Sequence, residues 1–76
     1  MSKMVRDAMW WRNECDYISN VTDKKGYVSE FNCDAEVFIR YCEMQRNQAK
    51  RDGVFDAMEY IQHCIDDMKA GGGEDV

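Results

Sequence analysis

The residues best suited to chemistry are one histidine and two carboxylates near the carboxyl end of the chain. Glu59, His63 and Asp67 are spaced four apart, so on a helix they would lie one above another on the same face. Imidazole nitrogens and carboxylate oxygens bind divalent cations such as zinc. Helical spacing often produces such rows by chance. We therefore predict no resident metal or other cofactor, and these three residues are metal candidates only.

The four cysteines offer thiol chemistry, but their spacing favours burial. Cys15, Cys33, Cys42 and Cys64 include no pair separated by two residues, which is the arrangement typical of zinc sites. Nothing in the chain indicates secretion, which disfavours disulfides. We expect reduced and mostly buried thiols, and the alternative is a structural zinc site that gathers some of them.

Motifs of the common catalytic sites are missing from the sequence. There is a single histidine, no Gly-rich phosphate loop and no Ser/His/Asp nucleophile grouping. We therefore predict that the protein is not an enzyme, and that its function is binding.

Two adjacent tryptophans indicate a surface for binding. Neighbouring helix positions point about 100° apart, so Trp10 and Trp11 cannot both face one core. Trp11 belongs to an apolar stripe with helical spacing, formed by Met4, Ala8, Trp11, Cys15 and Ile18. Trp10 and Tyr17 fall almost opposite this stripe. We predict that they contact a partner, either another protein or a second copy in a homodimer.

Three predicted helices position these residues. Apolar periodicity predicts helices over about residues 2–19, 34–51 and 53–70, which indicates an all-α, three-helix bundle in a single domain of residues 1–70. Residues 71–76 begin with three glycines and are predicted to form a flexible acidic tail. Residues 23–26 have turn chemistry, so a short β-hairpin at about 20–31 is the alternative, which would make the fold α+β.

The distribution of charge predicts that the partner-binding surface is acidic. The net charge of −5 disfavours direct binding of nucleic acid. In an up-down-up bundle, the end of the first helix, the start of the second and the end of the third share one end of the molecule, which is rich in acids. We predict that this end binds a basic surface of a protein partner, with Trp10 and Tyr17 as an apolar anchor nearby. Of the acidic residues there, the ones that we predict to contact the partner are Glu14, Asp16, Asp34, Glu36, Asp66 and Asp67.

The predicted helix ends also place several of these acids against the helix dipole. Glu14 and Asp16 would lie near the end of the first helix, and Asp66 and Asp67 near the end of the third. A carboxylate in the last turn costs a few tenths of a kcal/mol. A role in binding would explain why this cost is tolerated.

Together these features predict a non-enzymatic protein-protein interaction module. No apolar run approaches the roughly 20 residues that span a bilayer, and the charged amino terminus lacks a signal-peptide core, so we expect a cytoplasmic protein without membrane contact. By analogy of size and acidity, the sharpest hypothesis is a phage-type, anti-CRISPR-like inhibitor that masks a basic or nucleic-acid-binding surface of a larger complex. The alternative is a self-assembling protein that binds a small ligand or a metal.

Overall fold

The computed structural model describes residues 6–31 and 34–73, and most of these residues are helical. Helix α1 spans Ala8–Lys24, α2 spans Tyr27–Phe31, α3 spans Ala35–Asp52 and α4 spans Phe55–Gly73. Within these described ranges there is no strand. The all-α prediction is confirmed. The prediction of three helices is not confirmed, because residues 27–31 form a further helix. The alternative of a hairpin is not confirmed either, because residues 20–24 continue α1.

Helix α1 begins later and ends later than its periodicity predicts. Asp7 caps it, since its backbone is extended and its carboxylate accepts a hydrogen bond from the amide of Trp10 at 2.9 Å. Residues 6 and 7 were predicted to be helical and are not. Residues 2–5, which were also predicted to be helical, lie outside the described part. At the other end, Val21 packs against the core and extends the helix beyond the predicted residue 19. Lys25 then ends it in the left-handed conformation.

Helices α3 and α4 lie within three residues of their predicted bounds. Gly53 has a φ of 81° and follows the last residue of α3, and its amide donates to the carbonyl of Lys50 at 3.1 Å. Helix α4 continues to Gly73, so the predicted tail begins inside a helix. Residues 74–76 lie outside the described residues, and the flexibility of the tail stays a prediction.

The core lies between α1, α3 and α4. It is built from fully buried side chains that include Trp11, Ile18, Phe38, Cys42, Ile61 and Ile65. Burial of each large apolar side chain contributes about 1.5–3 kcal/mol. Helix α2 is short and covers one side of α3, where Tyr27 stacks on Phe38 with ring centroids 6.1 Å apart. The stability of α2 therefore depends on this packing rather than on its own length.

Three contacts define the directions of the long helices. Trp11 reaches Asp52 at the end of α3, the thiol of Cys15 lies 4.0 Å from the carbonyl oxygen of Ala57 early in α4, and Lys69 pairs with Glu43 at 3.8 Å. Helices α1 and α4 are therefore parallel, and α3 is antiparallel to both. The end of α1, the start of α3 and the end of α4 meet at one end of the molecule, which we call the acidic end.

The folded chain is elongated, with extents of 48 × 22 × 17 Å. Of the helices in the described residues, none combines the length and the apolar character needed to cross a lipid bilayer.

Candidate protein-binding surfaces

The two adjacent tryptophans lie in different environments, as their spacing predicts. Trp11 is 0% exposed and belongs to the core, whereas Trp10 is 38% exposed. Their rings meet edge to face, with centroids 4.9 Å apart. Because Trp10 is held by this contact, it presents a fixed aromatic surface to solvent. Its role in binding stays a prediction.

Trp10 is not near the acidic end. It lies in the first turn of α1, where the guanidinium carbon of Arg6 is 4.5 Å from its ring centroid and 5.9 Å from that of Trp11. This geometry is a cation-π contact. The expectation that Trp10 serves as an apolar anchor beside the acidic residues is therefore wrong, because α1 separates them along its length.

Tyr17 helps to hold the fold together and is not opposite the core as predicted. It is half-buried, and its ring meets that of Tyr41 edge to face at 6.4 Å. Burial, followed by a hydrogen bond to Glu30, raises the pKa of Tyr17 to about 12. Helices α2 and α3 cover this side of α1, which the periodicity of α1 alone cannot indicate.

Glu14 is also engaged inside the molecule. Its carboxylate accepts hydrogen bonds from the hydroxyl of Tyr41 and from Nε2 of Gln45, the latter at 3.2 Å. Burial and this bond to Glu14 raise the pKa of Tyr41. Glu14 thus joins α1 to α3, and we leave it out of the candidate binding surface.

Four of the remaining predicted acids are exposed at or toward the acidic end, and they are Asp34, Glu36, Asp66 and Asp67. Asp16 is exposed as well, but it follows Cys15, which meets Ala57 early in α4, so its predicted place at this end is wrong. Glu36 pairs with Arg40 at 3.6 Å, and Asp66 accepts a hydrogen bond from Gln62 at 2.9 Å. Exposed pairs of this kind contribute little to stability. These carboxylates therefore remain accessible to a partner.

The predicted conflict with the helix dipoles is wrong. Helix α1 continues to Lys24, so Glu14 and Asp16 lie two turns or more before its end, and Asp7 caps its start favourably. Helix α4 continues to Gly73, so Asp66 and Asp67 lie more than one turn before its end. The dipole effect is confined to the terminal turns. The carboxylates Glu14, Asp16, Asp66 and Asp67 therefore do not destabilise their helices through the helix dipole.

The metal candidates do not form a site. Glu59 and His63 are exposed and line a shallow depression with Asp56 and Tyr60, and Asp67 is not part of that lining. Among the described residues, no group of three or more His, Cys, Asp or Glu side chains is arranged to hold a metal ion. This finding also covers the free thiols of Cys15, Cys42 and Cys64, while Cys33 lies outside the described residues.

Sequence reasoning missed a groove on the side of α3 that faces Arg6. The groove has a volume of about 290 Å³, and its lining consists of Arg6, Met44, Gln45, Asn47, Gln48 and Arg51. A signal for it was available, because Met44 is a single large apolar residue at the start of a polar stretch. An exposed methionine in such a position is typical of adaptable binding surfaces.

Comparison with known proteins assigns no function to these surfaces. No protein family, curated protein or solved structure matches the chain. Function is therefore inferred from the side chains and their geometry.

Proposed function

We propose that this protein is a non-enzymatic protein-binding module whose acidic end covers a basic surface on a larger partner. The proposal is supported by one observation above all, namely that exposed carboxylates at the start of α3 and in the second half of α4 lie at or toward the same end. Within the described residues, Asp34 and Asp67 have no ion-pair partner. Their negative charges are therefore not neutralised within the molecule and can attract a basic partner.

Exposed charges of one sign act mainly on the rate of association. They attract a partner of opposite charge over a distance comparable with the Debye length and exclude partners of like charge. A partner surface rich in arginine or lysine fits this end, including one that otherwise contacts nucleic-acid phosphates. Masking such a surface would make the protein an inhibitor of the anti-CRISPR-like kind. That role, a cytoplasmic location and a homodimer all stay predictions.

The proposal is tested by two variants that change the charge of α4 equally. Asp66→Asn with Asp67→Asn removes two charges toward the acidic end, and Asp56→Asn with Glu59→Gln removes two charges near the start of the same helix. A partner is first captured with the unmodified protein, and its association rate with each variant is then measured at low and high salt. We expect the first variant to associate several-fold more slowly at low salt and the second to be nearly unchanged.

Circular dichroism melts of both variants serve as the folding control. Equal association rates for the two variants at low salt would contradict a role for the acidic end. An association rate that does not depend on salt in the unmodified protein would contradict the electrostatic basis of the proposal.

A further inference from the structure

A second candidate surface lies toward the opposite end of the molecule, in the groove between Arg6 and α3. Met44 is the apolar residue of its lining and is 65% accessible to solvent, and Trp10, which does not line the groove but contacts Arg6, is 38% accessible. Arg6 connects the groove to Trp10, because it lines the groove and also lies over the ring of Trp10. Aromatic and methionine side chains at the surface lose water favourably when a partner covers them.

The polar lining of this groove consists mostly of hydrogen-bond donors. Arg51 uses one nitrogen to donate to Gln48 at 3.2 Å, and its guanidinium forms no salt bridge within the described residues. The oxygen of Asn47 accepts hydrogen bonds from Arg46, which leaves the amide NH₂ group of Asn47 as a donor. Two guanidinium groups and an amide therefore face one groove in a chain whose net charge is −5.

The carboxylate of Asp52 does not occupy the guanidinium and amide donors of this groove. Asp52 already accepts hydrogen bonds from Trp11 at 3.0 Å and from Gln48 at 2.9 Å. Arg6 adds a hydrogen bond from its backbone and an electrostatic attraction to Asp52, although the two side chains form no salt bridge. An arginine guanidinium has five N–H donors and binds a carboxylate through two of them at once. The groove is thus complementary to carboxylates from outside the molecule.

We propose that this groove binds an acidic segment of a partner protein. Carboxylates of the segment contact Arg6 and Arg51, and a neighbouring apolar side chain packs against Trp10 and Met44. The segment combines both features because the groove combines positive charge with exposed apolar surface. This groove is separate from the acidic end and would bind acidic and not basic partners. The proposal therefore goes beyond the proposed function, and an experiment can contradict either one without the other.

The experiment uses the full chain and short fluorescein-labelled peptides as probes. One peptide consists of Glu and Leu, a second has Lys in place of every Glu, and a third has Ser in place of every Leu. We expect measurable binding of the Glu/Leu peptide by fluorescence anisotropy, and binding at least about tenfold weaker for the other two. Backbone amide shifts in NMR spectra should concentrate at the start of α1 and in the second half of α3.

Neighbouring residues of α3 supply a matched pair of variants. Arg51→Gln removes a charge inside the groove, whereas Lys50→Gln removes an equal charge from the next residue, which does not line it. We expect the first to weaken binding of the Glu/Leu peptide about tenfold and the second less than about twofold. Trp10→Ala should weaken it by about 30-fold while its melt stays cooperative.

Several outcomes would overturn the proposal. Equal weakening by the Arg51 and Lys50 variants would mean that the peptide responds only to overall charge. Tighter binding of a single-stranded oligonucleotide than of the Glu/Leu peptide would identify a phosphate site. Concentration-dependent self-association that Arg51→Gln abolishes would identify the occupant as a second copy of this chain and not a different protein.

Discussion

The indole nitrogen of Trp11 donates a hydrogen bond to the carboxylate of Asp52 at 3.0 Å, which joins the first turn of α1 to the last residue of α3. Trp11 is fully buried, and a buried indole N–H needs a partner. Gln48 donates to the other oxygen of the same carboxylate at 2.9 Å. One carboxylate therefore accepts the hydrogen bond of the largest fully buried side chain in the core and fixes how α1 is placed against α3.

The first prediction concerns the acid sensitivity of this contact. Burial raises the pKa of Asp52, but hydrogen bonds from Trp11, Gln48 and the backbone of Arg6, together with the charge of Arg6, outweigh it, so the net pKa lies below the usual range. A carboxylate of this kind stabilises the fold above its unfolded pKa, and the contribution is lost as pH falls through the folded pKa. Unfolding midpoints measured across acidic pH should fall less steeply in Asp52→Asn.

Gln48→Ala provides the control, because it removes one hydrogen bond to Asp52 and leaves the one from Trp11 in place. Its acid dependence should lie between those of the unmodified protein and Asp52→Asn. Identical acid dependence in all three proteins would mean that Asp52 is not held by these contacts in solution.

The second prediction compares the adjacent tryptophans. Trp11→Ala should lower the free energy of unfolding by about 3–5 kcal/mol, because it leaves a large cavity in the core. Trp10→Ala should lower it by no more than about 1.5 kcal/mol, the contribution of an aromatic ring pair. Urea unfolding of both variants measures the difference. Similar losses for the two would show that Trp10 is also buried in solution.

The third prediction concerns alkaline pH. Burial and hydrogen bonds to carboxylates raise the pKa of Tyr41 and raise that of Tyr17 to about 12. A group with a raised folded pKa stabilises the fold below its unfolded pKa, and this contribution is lost as pH rises through the folded pKa. Stability should therefore fall above about pH 10, where a free tyrosine ionises.

Two phenylalanine variants test this assignment. Tyr41→Phe and Tyr17→Phe should each reduce the loss of stability at alkaline pH. In each variant, tyrosinate absorbance should show one fewer tyrosine that ionises with a raised pKa. A titration in which every tyrosine ionises together at an ordinary pKa, in folded protein, would contradict the packing described.

The fourth prediction concerns the thiols. Burial raises the pKa of Cys15 to about 11 and that of Cys42 to about 12, so thiolate is scarce at neutral pH and alkylation should be slow. Cys15 lines a cavity of about 320 Å³ between α1 and α4 and should react first, while Cys42 is fully buried. Iodoacetamide labelling followed by mass spectrometry, in a Cys33→Ser background, measures the order.

A second variant identifies the labelled site. Replacing Cys15 as well should remove the first labelling step and leave only slow reaction of Cys42 and Cys64. Labelling of Cys42 before Cys15 would indicate that the core opens faster than the cavity admits the reagent.

The sequence predicted α3 well because residues with defined backbone roles mark both of its ends, whereas α4 continues through the glycines that were expected to end it. Asp34 precedes α3 in an extended conformation, and Gly53 ends it with a positive φ. The end of α1 was harder to predict, because Lys25 and not Gly26 adopts the left-handed conformation. Residues Val21 and Tyr27 suit strands as well as helices, and only their packing against other helices decides between the two.

The candidate surfaces were predictable where one helix determines the environment. Helical spacing was enough to place Trp11 in the core and Trp10 at the surface. It was not enough for Glu14 and Tyr17, because their partners Tyr41 and Glu30 belong to other helices. Contacts between distant segments depend on how helices cross, and a single sequence does not specify those crossings.

The elongated shape of the bundle has a consequence for binding two proteins at once. Asp34 and Arg51 lie at opposite ends of α3, about 25 Å apart at a rise of 1.5 Å per residue, which is roughly three times the Debye length of about 8 Å at physiological ionic strength. The field of a partner at the acidic end is therefore almost fully screened before it reaches Arg51. Two partners of opposite charge would bind without competing electrostatically, and the helices between them would serve as a spacer that keeps their surfaces apart.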